Sequence, residues 1–107
     1  MIRVFISQPF SGKTEEDVMY QRDVILEKLK RHLVDEFTVI DQYHPKPPFE
    51  EDCCKNERVW YLGNSIHLMS TADVIVFACD WKEALGCKAE MEIAQLYNMN
   101  IMMSENL

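Results

Sequence analysis

A chain of 107 residues has room for one ordinary hydrophobic core and not two, so a single domain spanning 1–107 is expected. Its 48% hydrophobic and 27% charged residues suit a folded protein and exclude a disordered one. The formal charge of -7 argues against a nucleic-acid polymer as partner, because such binding depends on neutralising phosphates with Lys and Arg.

The run "IRVFI", Ile2 to Ile6, is β-branched and aromatic and predicts a buried first strand. The loop "SQPFSGK" follows, and Thr14 then opens a helix, with Thr14 and Asp17 spaced as a capping box and Glu15, Glu16 and Asp17 in its first turn. Val18, Ile25, Leu29 and Leu33 form its apolar stripe, and Lys28, Lys30 and Arg31 suit its C-terminal end. "FTVID", Phe37 to Asp41, predicts the second strand, and the segment from Tyr43 to Asn56, with its "PKPP", a long loop. A second helix is expected to bury Val59, Leu62, Ile66 and Met69, before a third strand, "DVIVFA", from Asp73 to Ala78. A helix from Gly86 to about Asn98 and a short strand from Ile101 to Met103 complete the chain.

The alternation β-α-β-α-β-α-β predicts a Rossmann-like or flavodoxin-like three-layer α/β sandwich, with a four-stranded, mostly parallel sheet and helices on both faces. Ligands bind such sheets beyond the carboxyl ends of the strands, where the strand order reverses. That edge collects Ser7 to Lys13, Asp41 to His44 and Asp80 to Gly86.

No apolar run approaches the ~18 residues of a membrane span. The N-terminus lacks the profile of a signal peptide, so a cytoplasmic protein without a membrane partner is expected. Cys53 and Cys54 are adjacent, without the spacer of metal-binding pairs, and with Cys79 and Cys87 they form no zinc pattern. Neither a metal nor another cofactor is expected, and reduced thiols are the default. The seven methionines read as core filler, with some available for a subunit interface.

"SQPFSGKT" lacks only the first glycine of a phosphate-binding GxxxxGK[ST] loop, and "DVIVFACD" resembles its partner strand. With Ser7 in place of that glycine and so short a chain, the NTPase reading is rejected. A narrower one stays open: Ser7, Ser11 and Gly12 offer hydroxyls and N–H groups ahead of a helix, as an anion cradle or as a plain strand-to-helix turn with Lys13 solvated.

In "GCKAEMEIAQLYNMN" two glutamates, Glu90 and Glu92, cannot share a helix face. With Gly86 at 0°, Ile93, Tyr97 and Ala89 fall near ~340°, ~20° and ~300°, whereas Lys88, Glu92 and Gln95 fall between ~180° and ~240°. Glu90, near ~40°, therefore points inward and Glu92 outward. A buried carboxylate needs a reason: either a structural hydrogen-bonding role, or a position in the ligand cleft. Cys87, near a helix N-terminus, has a thiol whose pKa such a position lowers, which makes it a weaker nucleophile candidate.

The stretch "ADVIVFACDWKEALGCKAEMEIAQLYNMNI" resembles the nucleoside 2-deoxyribosyltransferase family, including its relative the deoxynucleoside 5′-monophosphate N-glycosidase. There, a strand of type "ADVVVA" precedes a loop, a glycine, three residues and a glutamate in a helix that continues with small residues. The match is Gly86-Cys87-Lys88-Ala89-Glu90, with Ala94 at the next small position. "VFISQPFSGK" is similar to the family's first strand and Ser/Gly loop, and Trp81 to a tryptophan found after the third strand in a short branch.

The resemblance implies that Glu90 is a nucleophile that attacks the anomeric carbon of a deoxyribosyl group, in a transferase or a hydrolase, by the logic of retaining glycosidases. It implies substrate contacts from Ser7, Pro9, Phe10, Ser11 and Gly12, which would cradle a 5′-hydroxyl or phosphate, and from Gly86 and Cys87. Tyr43 and Trp81 lie on loops at the same edge, where they stack on a base or pack on their own domain. The implied partner is a nucleoside or nucleotide, and sites completed by a neighbouring subunit imply a homo-oligomer.

One departure bears on catalysis. The family's aspartate before the third strand falls on Ser65, beside Asn64, and a second falls on Ala84 or Leu85. Serine does not act as a general acid near neutral pH, which leaves Asp80, His67 or Asp41 to substitute. The alternative is a non-catalytic module on the same fold that binds a nucleotide or nucleoside derivative.

Overall fold

The computed structural model describes residues 1–42 and 55–107. Four strands, β1 (Ile2–Ser7), β2 (Phe37–Val39), β3 (Val74–Phe77) and β4 (Ile101–Met103), alternate with three helices, α1 (Glu15–His32), α2 (Glu57–Met69) and α3 (Leu85–Leu96). The sheet has the order β2-β1-β3-β4 and every pairing among the described residues is parallel, so the expected α/β, Rossmann- or flavodoxin-like architecture is present.

Its central strands read as continuous apolar runs because both faces are covered. Val4 and Ile6 of β1, Val74 and Val76 of β3 and Ala78 just after it pack with Ile25 and Leu29 of α1. Phe5, Ile75 and Phe77 point to the other face, onto Met69 of α2 and Met91 and Ala94 of α3. Thr14 caps α1 as expected: its side chain accepts from the Asp17 N–H at 3.1 Å, and the Asp17 carboxylate accepts from the Thr14 N–H.

Three expectations change in detail. β2 ends at Val39, although the Ile40 N–H still donates to the Val4 carbonyl at 2.8 Å. On α2 the apolar stripe is buried only at its C-terminal end: Met69 lies in the core, Leu62 and Ile66 are half-buried, and Val59 is 61% exposed. On α3 the buried stripe is Cys87, Glu90, Met91 and Ala94, rotated from the one centred on Ile93, Ala89 and Tyr97. Ile93 and Ala89 are half-buried flanks, and Tyr97, just past the helix end, is 76% exposed.

Candidate functional site

From β1 the chain moves outward to β2 on one side and then returns to β3 on the other. The order therefore reverses between β1 and β3, the point at which sheets of this kind bind ligands beyond the carboxyl ends of their strands. Ser7 closes β1 in register with Phe77, and its carbonyl accepts from the Ala78 N–H at 2.9 Å. Because side chains alternate along the strand, Ser7 continues the face of Phe5, toward α3. After it, the Lys13 N–H donates to the Phe10 carbonyl at 3.2 Å, with Gly12 at φ 76° in the third position of the turn. That backbone conformation favours glycine although a Cβ there would meet nothing within 4 Å.

Glu90 enters from α3, 7% exposed, while Glu92 is exposed, as the helical spacing predicts. The Ser7 hydroxyl donates to Glu90 Oε1 at 3.4 Å, and Oε2 is buried without a hydrogen-bond partner among the described residues. Burial pushes the Glu90 carboxyl up to about 7 from its ordinary 4.5, against the smaller opposing effect of the Ser7 hydrogen bond. A carboxyl so poised exchanges a proton near neutral pH, and its ionised form carries an unengaged nucleophilic oxygen.

A polar chain missed at the sequence level adjoins this pair. The Lys13 ammonium pairs with Asp80 Oδ2, and Gln21 Nε2 donates to Asp80 Oδ1 at 2.8 Å. Gln8 Nε2 in turn donates to Gln21 Oε1 at 3.0 Å and to the Val18 carbonyl at 3.1 Å. Four side chains thus tie the loop after β1 to α1 and to the loop after β3. Lys13 is not merely solvated, and only its place in "SGKT" drew notice to it. Gln8 and Gln21 carry no local signal, since their roles come from α1 lying across the end of β1. Burial raises the Asp80 pKa, but hydrogen bonds from Lys13 and Gln21 and the Lys13 charge outweigh it and hold the carboxyl below its ordinary value. Asp80 is therefore an anion near neutral pH and does not serve as a general acid there.

Cys87 corrects another expectation. Its thiol is pushed up to about 11, first by burial, then by the Glu90 and Asp80 charges, against opposing effects of the Ser7 hydrogen bond and Lys13. The helix N-terminus does not overcome this, so Cys87 is a poor thiolate nucleophile at neutral pH. The Cys87 thiol thus senses the charges of Glu90, Asp80 and Lys13 as well as the Ser7 hydroxyl.

Of the remaining candidates, Pro9 is buried, Phe10, Ser11 and Gly12 are exposed on the turn, and Gly86 is half-buried in the first turn of α3. Trp81 packs edge-on against Phe77, with ring centroids 5.8 Å apart, and Lys82 Nζ lies 5.6 Å from the centre of the Trp81 ring. A shallow groove bounded by Trp81, Lys82, Lys88, Met91, Glu92 and Gln95 runs beside α3, and Glu90 does not line it. Ser65 is half-buried on α2, His67 and Asp41 are exposed, and none of the three hydrogen-bonds Glu90 Oε2. Tyr43, His44, Cys53 and Cys54 lie outside the described residues. Among the described residues, no three His, Cys, Asp or Glu side chains are grouped to hold a metal, and no helix is long and apolar enough to cross a membrane. No protein-family model, curated protein or solved structure matches the chain.

Proposed function

We propose that this protein acts on the N-glycosyl bond of a nucleoside or nucleotide, as a member of the nucleoside 2-deoxyribosyltransferase-like group, with Glu90 as nucleophile. The observation that carries this reading is the buried Glu90 carboxyl at the strand-order reversal, held by Ser7 through one oxygen with the other unengaged. Attack by ionised Oε2 on C1′ forms a glycosyl ester as the C1′–N bond breaks, and the bond's electron pair leaves with the base. The base takes a proton from water, and a second water molecule or another base then releases the sugar from Glu90.

The engagement of Asp80 favours a second reading, a binding module on the same fold. Asp80 is committed to Lys13 and Gln21, and no other described carboxyl bonds Glu90. Loss of general acid help slows such reactions by about 10²–10⁴-fold, so weak turnover is expected even on the enzymatic reading. The test is base release, followed by chromatography, from 2′-deoxynucleosides and their 5′-monophosphates with the native protein and Glu90→Ala. Release by the native protein alone supports the enzyme. Stoichiometric binding without release sinks it in favour of the module.

A homo-oligomer belongs to the same proposal. Met19, Tyr20 and Val24 on α1 and Leu85, Leu96 and Tyr97 at α3 are exposed apolar side chains that a second subunit would cover. Free Cys79 and Cys87 suit a reducing, cytoplasmic compartment.

A further inference from the structure

We propose that Asp80 determines specificity at this site, selecting a ligand with a free 5′-hydroxyl over its 5′-phosphate by committing Lys13 to an internal ion pair. The inference rests on the reading of the strand-order reversal as a nucleoside site and decides between the two ligand forms which that reading leaves open.

Lys13 is the cation that the Phe10–Lys13 turn has available for an anion beside Ser11 and Gly12. Its ammonium is instead bonded to Asp80, whose other oxygen is held by Gln21, itself held by Gln8 from the end of β1. A phosphate that recruits Lys13 has either to share its ammonium with Asp80 or to displace it, and in both cases it stands beside a carboxylate still fixed by Gln21. The Lys13 charge is cancelled by Asp80 within the pair, so a phosphate gains no net positive charge there. Like charges close together in a partly buried site repel strongly.

The second observation concerns what the site lacks. Among the described residues, two buried side-chain oxygens have no partner, Glu90 Oε2 and Gln8 Oε1, on residues 7% and 3% exposed. They stand on the two faces of the sheet at the carboxyl end of β1, Glu90 against Ser7 and Gln8 against α1. Glu90 Oε2 is the oxygen that attacks C1′, which leaves the Gln8 amide oxygen as the acceptor that calls for a donor. A sugar hydroxyl donates, whereas a phosphate dianion brings only further acceptors.

The experiment compares each of the four common 2′-deoxynucleosides with its 5′-monophosphate. Dissociation constants are measured by calorimetry and thermal shift, with base release measured in parallel. Native protein, Asp80→Asn and the double variant Lys13→Gln/Asp80→Asn are used. The native protein is expected to bind at least one nucleoside about tenfold or more tightly than the matching monophosphate. Asp80→Asn, which frees the Lys13 charge, is expected to shift that ratio toward the monophosphate by about tenfold or more, and the double variant to return it. A merely structural role for Asp80 weakens both ligands together. Preference of the native protein for the monophosphate, or an unchanged ratio in a folded Asp80→Asn, overturns the inference and leaves the nucleoside-site reading standing. If Asp80→Asn does not fold, the native ratio alone decides. If no ligand binds or loses its base, that reading falls and takes the inference with it.

Discussion

Ser7 and Glu90, 83 positions apart in the chain, meet at 3.4 Å between the end of the first strand and the second turn of the last helix. Among the described residues this contact gives the Glu90 carboxyl its one hydrogen bond, and it lies where β1 and β3 part. The chemistry proposed for the protein depends on it.

Removal of the hydroxyl tests that dependence. Ser7→Ala deletes the interaction that favours ionised Glu90, so the Glu90 pKa is expected to rise above its native value. The variant also leaves both carboxyl oxygens unsatisfied, at a cost of about 1–3 kcal/mol in stability at neutral pH. Carbon-detected NMR titration of the carboxyl and chemical denaturation at pH 7.5 read the two effects. An unmoved or lowered Glu90 midpoint removes Ser7 from this role.

Glu90 also makes stability depend on pH. Its folded-state value, about 7, lies above the ordinary 4.5, so the folded protein binds this proton more tightly than the unfolded chain does. The stabilising contribution is full below pH 4.5 and is lost as pH rises through 7, a difference of roughly 3 kcal/mol. Glu90→Gln keeps the shape without the titration, and its loss of stability between pH 5 and pH 8 is expected to be smaller than that of the native protein. Parallel melting curves for the two proteins contradict the assignment. On the enzymatic reading, base release by the native protein rises with pH toward a plateau above about 7, as Glu90 ionises.

The two described thiols are expected to differ in reactivity. Cys79 is exposed, whereas Cys87 is buried with its thiol pushed up to about 11. Iodoacetamide at pH 8, with peptide mapping by mass spectrometry, should label Cys79 at least about tenfold faster, because alkylation needs an accessible thiolate. Equal rates would show that α3 opens readily or that the thiol is not held as described.

Much of the architecture was already legible in local patterns. The capping box at Thr14, the apolar run of β3 and the alternation of strands and helices need only neighbours in the chain, and all are present. So is the choice between Glu90 and Glu92, since a helix turns by ~100° per residue whatever it packs against. The wheel misplaced the centre of the buried stripe because it gave Tyr97 a place in a helix that stops at Leu96, and packing on Phe5 and Phe77 turned α3 toward Cys87, Met91 and Ala94.

Short-range geometry and hydrophobic periodicity are enough to set the elements, their succession and the inward direction of one carboxylate. Which groups meet at the carboxyl end of β1 depends instead on long-range packing. The ion pair of Lys13 with Asp80 spans 67 positions, and the Gln21 bond to Asp80 spans 59. Such contacts follow from the side of β1 on which β3 inserts and from how α1 lies across the strand ends. The raised pKa values of Glu90 and Cys87 have the same origin, since desolvation is a property of the packed neighbourhood and not of the residue.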